Sequence, residues 1–228
     1  MQKKKTPLKS RHNYFWGYKT DFSEINHRNA SLIWHDYFHL TTKKIVLMAL
    51  MLALNIIMTI FSKYVLGLAP IGGFFVIEIS FFTVLLFLMM TNFFYTFIFF
   101  EITVWFRFLL GSEPIGLIAM NLIDGFFLVF FALSVFLFKK WEVTFQVKNH
   151  LKKLFIFEIV AFIIISIITA GFAVLMNWAF LLNWYLVPTS KGLLAMIFGL
   201  NIAKSAINGV LYFALYNVLI VLLKHYQI

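Results

Sequence analysis

Long apolar runs separated by short polar breaks dominate this chain from residue 45 onward. The runs fall at roughly 45–62, 74–90, 93–111, 115–138, 154–185 and 193–223, to be compared with the roughly 20 residues a helix needs to cross a bilayer. The pattern predicts an all-α polytopic membrane protein. Its membrane domain, over 43–228, is a bundle of six transmembrane helices preceded by a polar extension over 1–42. The breaks at 63–73, 111–114 and 186–192 then face one side. The turn at Thr91 and Asn92 and the stretch 139–153 face the other.

Isolated polar residues are unevenly spread in depth. Glu78 follows the first of the outer breaks, Arg107 precedes the second, and Asn121 and Asp124 open the fourth run. Asn177 comes late in the fifth run, and Asn201, Lys204 and Asn208 lie in the outer half of the sixth. Their spacing of three and four puts the last three on one helix face. A lysine near the middle of a membrane helix costs about 2.5–3.5 kcal/mol. Lys204 sits roughly ten residues, about 15 Å, inside its run, too deep to snorkel easily. The stripe is therefore expected to wall a water-filled cavity, rather than only to glue helices together. The bias toward one leaflet favours a pocket open to the outside, flanked by aromatics such as Trp105 and Trp178. Glu101 alone is central, and it is expected either to partner Arg107 on the same helix or to satisfy backbone groups. Ala49 and Ala53 form a small-xxx-small face that fits either internal packing or a partner subunit.

Composition narrows the classes further. A chain that is 62% hydrophobic and 12% charged, with mean hydropathy +0.91, is no ordinary soluble domain. The net charge of +10 does not call for a nucleic acid, because Lys and Arg cluster before residue 44 and over 139–153, where orientation signals belong. By the positive-inside rule both termini and that loop are expected to be cytoplasmic. No removable signal peptide is expected in the polar first 40 residues. Without Cys there is no thiolate metal site or disulfide. His35 and His39 have the spacing of a metal pair but no HExxH frame, so no metal is expected. No phosphate-binding GxxxxGK[ST] loop occurs, and neither does GxSxG, so no catalytic residue is assigned. Two alternatives remain. One is an intramembrane enzyme using clustered Glu78, Glu101 and Asp124, and the other a secondary transporter with Glu101 as proton carrier.

Several stretches are shared in order and spacing with one transporter family. Lys43-Lys44-Ile-Val-Leu followed by Ala49-x-x-x-Ala53 resembles its first-helix AxxxA face, and Ile77-Glu78-Ile79-Ser80 its Leu-Asp-Phe-Ser. Leu109-Leu110-Gly111-Ser112 and Asn121-Leu122-Ile123-Asp124-Gly125 resemble its Leu-Leu-Gly-Ser and Asn-Phe-Leu-Ile-Gly. Asn177-Trp178-Ala179-Phe180, running on to Trp184-Tyr185, resembles its Asn-Tyr-Phe and Pro-Leu-Tyr segment, and Gly199-Leu200-Asn201-Ile202-Ala203-Lys204 its Pro-Phe-Asn-Leu-Ile-Lys. The family is that of the substrate-binding S components of energy-coupling-factor vitamin transporters, and the chain is most similar to the riboflavin-specific type. The resemblance implies that riboflavin is a transported substrate rather than a cofactor. It also implies that Asn177, Asn201 and Lys204 bond the polar edge of the isoalloxazine ring while aromatic and aliphatic side chains sandwich it. It further implies a coupling subunit docked on Ala49 and Ala53, two ATPase subunits, and a bacterial cytoplasmic membrane. The chain departs from the family pattern at 81–83, at Thr103-Val104, at Arg107 and at Asp124. These departures leave another vitamin or small metabolite as the alternative ligand, with Glu78, Arg107, Asn121 and Asp124 as further candidate contacts.

Overall fold

A computed structural model describes residues 38, 40, 42–65, 78–144 and 150–226. Most of the break expected over 63–73 lies outside the described residues, as do the rest of 66–77, His35, His39 and most of the N-terminal extension. Among the described residues six helices carry the fold: α1 (Thr42–Tyr64), α2 (Phe81–Met90), α3 (Phe93–Leu109), α4 (Pro114–Thr144), α5 (His150–Met176) and α6 (Lys191–Tyr226). A π-helical turn, Asn177–Leu181, and a final turn, Leu182–Trp184, extend α5. No strand occurs among the described residues.

Among the described residues four helical stretches are long and apolar enough to cross a membrane: Lys44–Tyr64, Pro114–Lys139, Lys152–Trp184 and Lys191–Val221. The side chains are distributed as a bilayer demands. On α5, Ile163, Ile164, Ile167 and Ile168 are exposed, whereas α1 turns Asn55, Thr59 and Ser62 inward and leaves Val46, Leu50 and Ile57 outside. Exposing apolar groups and burying polar ones in this way suits a multi-pass membrane protein.

Every residue of α2 is buried. A helix apolar on all sides belongs in the middle of a bundle, and α2 packs against α1, α3, α4 and α6 while α5 bridges α4 and α6. It has 10 residues and α3 has 17, about 15 Å and 26 Å of rise. Both are shorter than the expected runs of 74–90 and 93–111. The difference at α2 has a local cause in the way the chain before it is held. Glu78, Ile79 and Ser80 are not helical. Their backbone is bonded instead by side chains from two other helices: Asn55 Nδ2 to Ser80 O at 3.2 Å, Ile79 N to Ser62 Oγ at 3.1 Å, and Asn208 Nδ2 to Glu78 O at 2.8 Å. Irregular backbone at membrane depth persists only where protein groups satisfy it in this way.

Candidate functional site

The end of the bundle where α1, α3 and α5 finish and α2, α4 and α6 begin encloses a cavity of about 380 Å³. Glu78, Arg107, Asn177, Asn201 and Lys204 all line it. Five of the residues singled out from the sequence are thus gathered from four separate segments. That volume lies within the range of small-molecule sites, about 300–1,000 Å³.

Arg107 forms the floor. Its guanidinium pairs with Glu78 and donates to Ser80 Oγ at 2.6 Å and Thr59 Oγ1 at 3.4 Å. One side chain on α3 thereby ties α1 to the start of α2. The expected Glu101–Arg107 pair does not form. Six residues along a helix is about 240° of rotation, which sends the two side chains to different faces. Glu101 accepts instead from Asn121 Nδ2 at 2.7 Å and from Trp105 Nε1, one turn along α3, at 3.1 Å.

The wall comes from α6 and the end of α5. Lys204 Nζ donates to both carboxylate oxygens of Asp124, each at 2.7 Å, and both residues are buried. Asn201 Nδ2 donates to Ile197 O at 2.9 Å and Asn177 Nδ2 to Ala173 O at 2.8 Å, each one turn back on its own helix. Those bonds fix the two amides on the cavity side. The π-helical turn begins at Asn177, where the widened helix changes which side chains face inward. The third member of the stripe, Asn208, does not line this cavity and serves α2 instead.

Neither Asn121 nor Asp124 lines the cavity. Asn121 bonds Glu101 away from it, and Asp124 stands behind Lys204. The expected aromatic flanks are also corrected. Trp105 and Trp178 are 47% and 60% exposed, and the apolar lining is Leu117, Ala119, Met120, Ile123 and Ile197 with one aromatic, Tyr185. Long exposed rings suit lipid better than a hydrated hollow.

Lys63, Ser112, Glu113 and Tyr185 also line the cavity, though none of them was among the candidate contacts. All four sit at this same end of the bundle, at the ends of helices or in the breaks that join them. Arg107 already marked that level, and so depth was the signal available. Lys63 donates to the Leu110 carbonyl at the end of α3 and to Ser112 Oγ at 3.3 Å. Gly111, with φ +76°, supplies the left-handed residue that closes α3. Ser112 N returns to Arg107 O at 3.0 Å and Gly111 N to Phe108 O at 2.9 Å. Tyr185, in the turn after the fifth span, has its phenol pushed up to about 12 by burial and by the Glu113 carboxylate it bonds. Gly116 leaves room for that hydroxyl, since a Cβ there would meet it at 3.2 Å.

Among the described residues no three His, Cys, Asp or Glu side chains come together. Glu78, Glu101 and Asp124 each have a different partner. Ala49 and Ala53 are both exposed. They lie about 200° around α1 from the inward face of Met51 and Asn55, so the internal-packing reading of this pair is set aside. Compared with models of protein families, with curated protein sequences and with solved structures, the chain matches none.

Proposed function

We propose that this chain is the substrate-binding membrane subunit of a vitamin importer of the energy-coupling-factor type, with riboflavin as its ligand. The observation that carries the reading is the convergence of Asn177, Asn201 and Lys204 with Arg107 and Glu78 on one cavity of about 380 Å³ at one end of the bundle. Amide and ammonium groups in a mostly aliphatic hollow suit a neutral heterocycle with carbonyl and ring-nitrogen acceptors. Leu117, Met120, Ile123 and Ile197 offer the apolar surface for its faces.

In this reading α1–α6 all belong to the membrane domain, with α2 and α3 as a short hairpin held inside it. The cavity opens outward, and both termini are cytoplasmic, next to the basic stretch over 139–153. The coupling subunit docks on the exposed Ala49 and Ala53 face of α1, and two ATPase subunits supply the energy. The membrane is the bacterial cytoplasmic membrane.

Titrating purified protein with riboflavin, and recording the absorption of whatever copurifies, tests the ligand. Removing a hydrogen bond that ligand leaves unreplaced costs about 1–3 kcal/mol. Asn201→Ala and Lys204→Ala are therefore each expected to weaken binding about tenfold or more. Tight binding unchanged in both variants rejects the cavity as the recognition surface.

A further inference from the structure

Three cations line the cavity, and each is already engaged. Arg107 is held by Glu78, and Lys63 caps the end of α3 through Leu110 and Ser112. The third, Lys204, differs because its counter-charge lies outside the lining: Asp124, buried behind it, takes two hydrogen bonds at 2.7 Å. An ammonium has three N–H groups, so this geometry leaves one for a ligand. In a low-dielectric wall a lone ammonium attracts an anion strongly, whereas a cancelled one offers a ligand little more than a hydrogen bond.

We propose that Asp124 is a specificity-determining residue: by cancelling the charge of Lys204 it sets the cavity for uncharged acceptors and against carboxylates and phosphates. Lys204 then recognises a neutral carbonyl or ring nitrogen through its remaining N–H. A carboxylate placed there would meet the field of Asp124 directly behind the ammonium. The same arrangement recurs at the floor, where Glu78 cancels Arg107; Lys63 is held by neutral partners, but the lining also carries Glu113, so the three cations Lys63, Arg107 and Lys204 are matched in number by the carboxylates of Glu113, Glu78 and Asp124. The inference rests on the binding-site reading of this cavity and not on riboflavin itself.

The experiment compares two small probes that differ by one charge, nicotinamide and nicotinate. Binding of each is measured by calorimetry on the purified full chain, on Asp124→Asn, and on Asp124→Asn combined with Lys204→Met. The wild type is expected to favour nicotinamide by about tenfold or more. Asp124→Asn is expected to shift the ratio toward nicotinate by about tenfold or more, because an incoming carboxylate takes the place of the lost one. The double variant is expected to lose that gain. A ratio unchanged in Asp124→Asn overturns the proposal, as does a wild type that prefers nicotinate or binds neither probe. If the single variant does not fold, the wild-type ratio alone decides. A parallel riboflavin titration keeps the two readings apart: failure to bind the vitamin with the predicted probe ratios intact removes the vitamin and leaves Asp124 in its role.

Discussion

Asn208 caps a helix to which it does not belong: its Oδ1 accepts the backbone N–H of Phe82 in the first turn of α2, at 2.8 Å, from 126 residues away. Ser80, at the usual capping position, makes no side-chain cap bond, and its hydroxyl accepts from Arg107 instead. The amide nitrogen of Asn208 donates to Glu78 O at 2.8 Å, and so one side chain serves both a donor and an acceptor of the segment that enters α2. Losing a cap costs about 0.5–2 kcal/mol, and orphaning a buried polar group about 1–3 kcal/mol. Asn208→Leu is therefore expected to lower stability by about 2–4 kcal/mol, read as thermal unfolding in detergent. A melting temperature equal to that of the wild type would mean that α2 does not depend on this bond.

Close packing between α5 and α6 makes a second prediction. A Cβ at Gly209 would come within 2.6 Å of the Phe162 ring. That ring cannot easily yield, being buried among Phe127, Phe131 and Phe213. Overpacking of this kind costs about 1–3 kcal/mol, which is the loss expected for Gly209→Ala. Gly199, on the same helix, meets nothing within 4 Å. Gly199→Ala should be neutral or add about 0.5–1 kcal/mol through helix propensity. Equal effects of the two substitutions would refute the close contact.

How much of this was legible beforehand varies by residue. The stripe of Asn201, Lys204 and Asn208 follows from helical period, and its meeting with Asn177, Glu78 and Arg107 follows from depth along each run. Which acid pairs with which base does not, because Asp124 and Lys204 are 80 residues apart and no local pattern relates them. The mistaken pairing of Glu101 with Arg107 was legible in principle. Six residues place two side chains on different helix faces, whereas the four between Glu101 and Trp105 bring them together. The length of α2 was hidden because apolar residues near a helix start look the same to a period argument whether helical or extended. What decides the matter there is a set of side chains on α1 and α6.

Leu186 ends the fifth span in a conformation its side chain disfavours, with φ +56°. Val187 N bonds Leu182 O at 2.9 Å and Leu186 N bonds Asn183 O at 3.1 Å, the paired closure in which the left-handed residue is usually glycine. Val187 packs against the buried cluster that includes Leu182, in keeping with the apolar contact that often accompanies this motif. A left-handed L-residue costs about 1–2 kcal/mol, and Leu186 is 90% exposed, so its side chain has little packing to lose. Leu186→Gly is expected to stabilise the protein by about 1 kcal/mol. A fall in melting temperature would contradict the strain argument.

The last prediction concerns the mouth of the cavity and the sign of a pH effect. Folding holds the Tyr185 phenol neutral, with burial first and Glu113 second moving its pKa from 10.0 to about 12. Below the unfolded value both states carry the proton, and the contribution to stability is fully present. Between 10.0 and about 12 the unfolded chain releases a proton that the folded chain keeps, and so stability falls as pH rises through that window. Tyrosinate absorbance should show as many phenols titrating near pH 10 in the wild type as in Tyr185→Phe, because Tyr185 ionises only at higher pH. Glu113→Gln removes only the carboxylate's share, because the burial remains, so the Tyr185 pKa should move back toward 10.0 without reaching it. If Glu113→Gln leaves the titration where it was, the carboxylate is not what holds the hydroxyl, and the coupling between the α3–α4 turn and the end of the fifth span is lost with it.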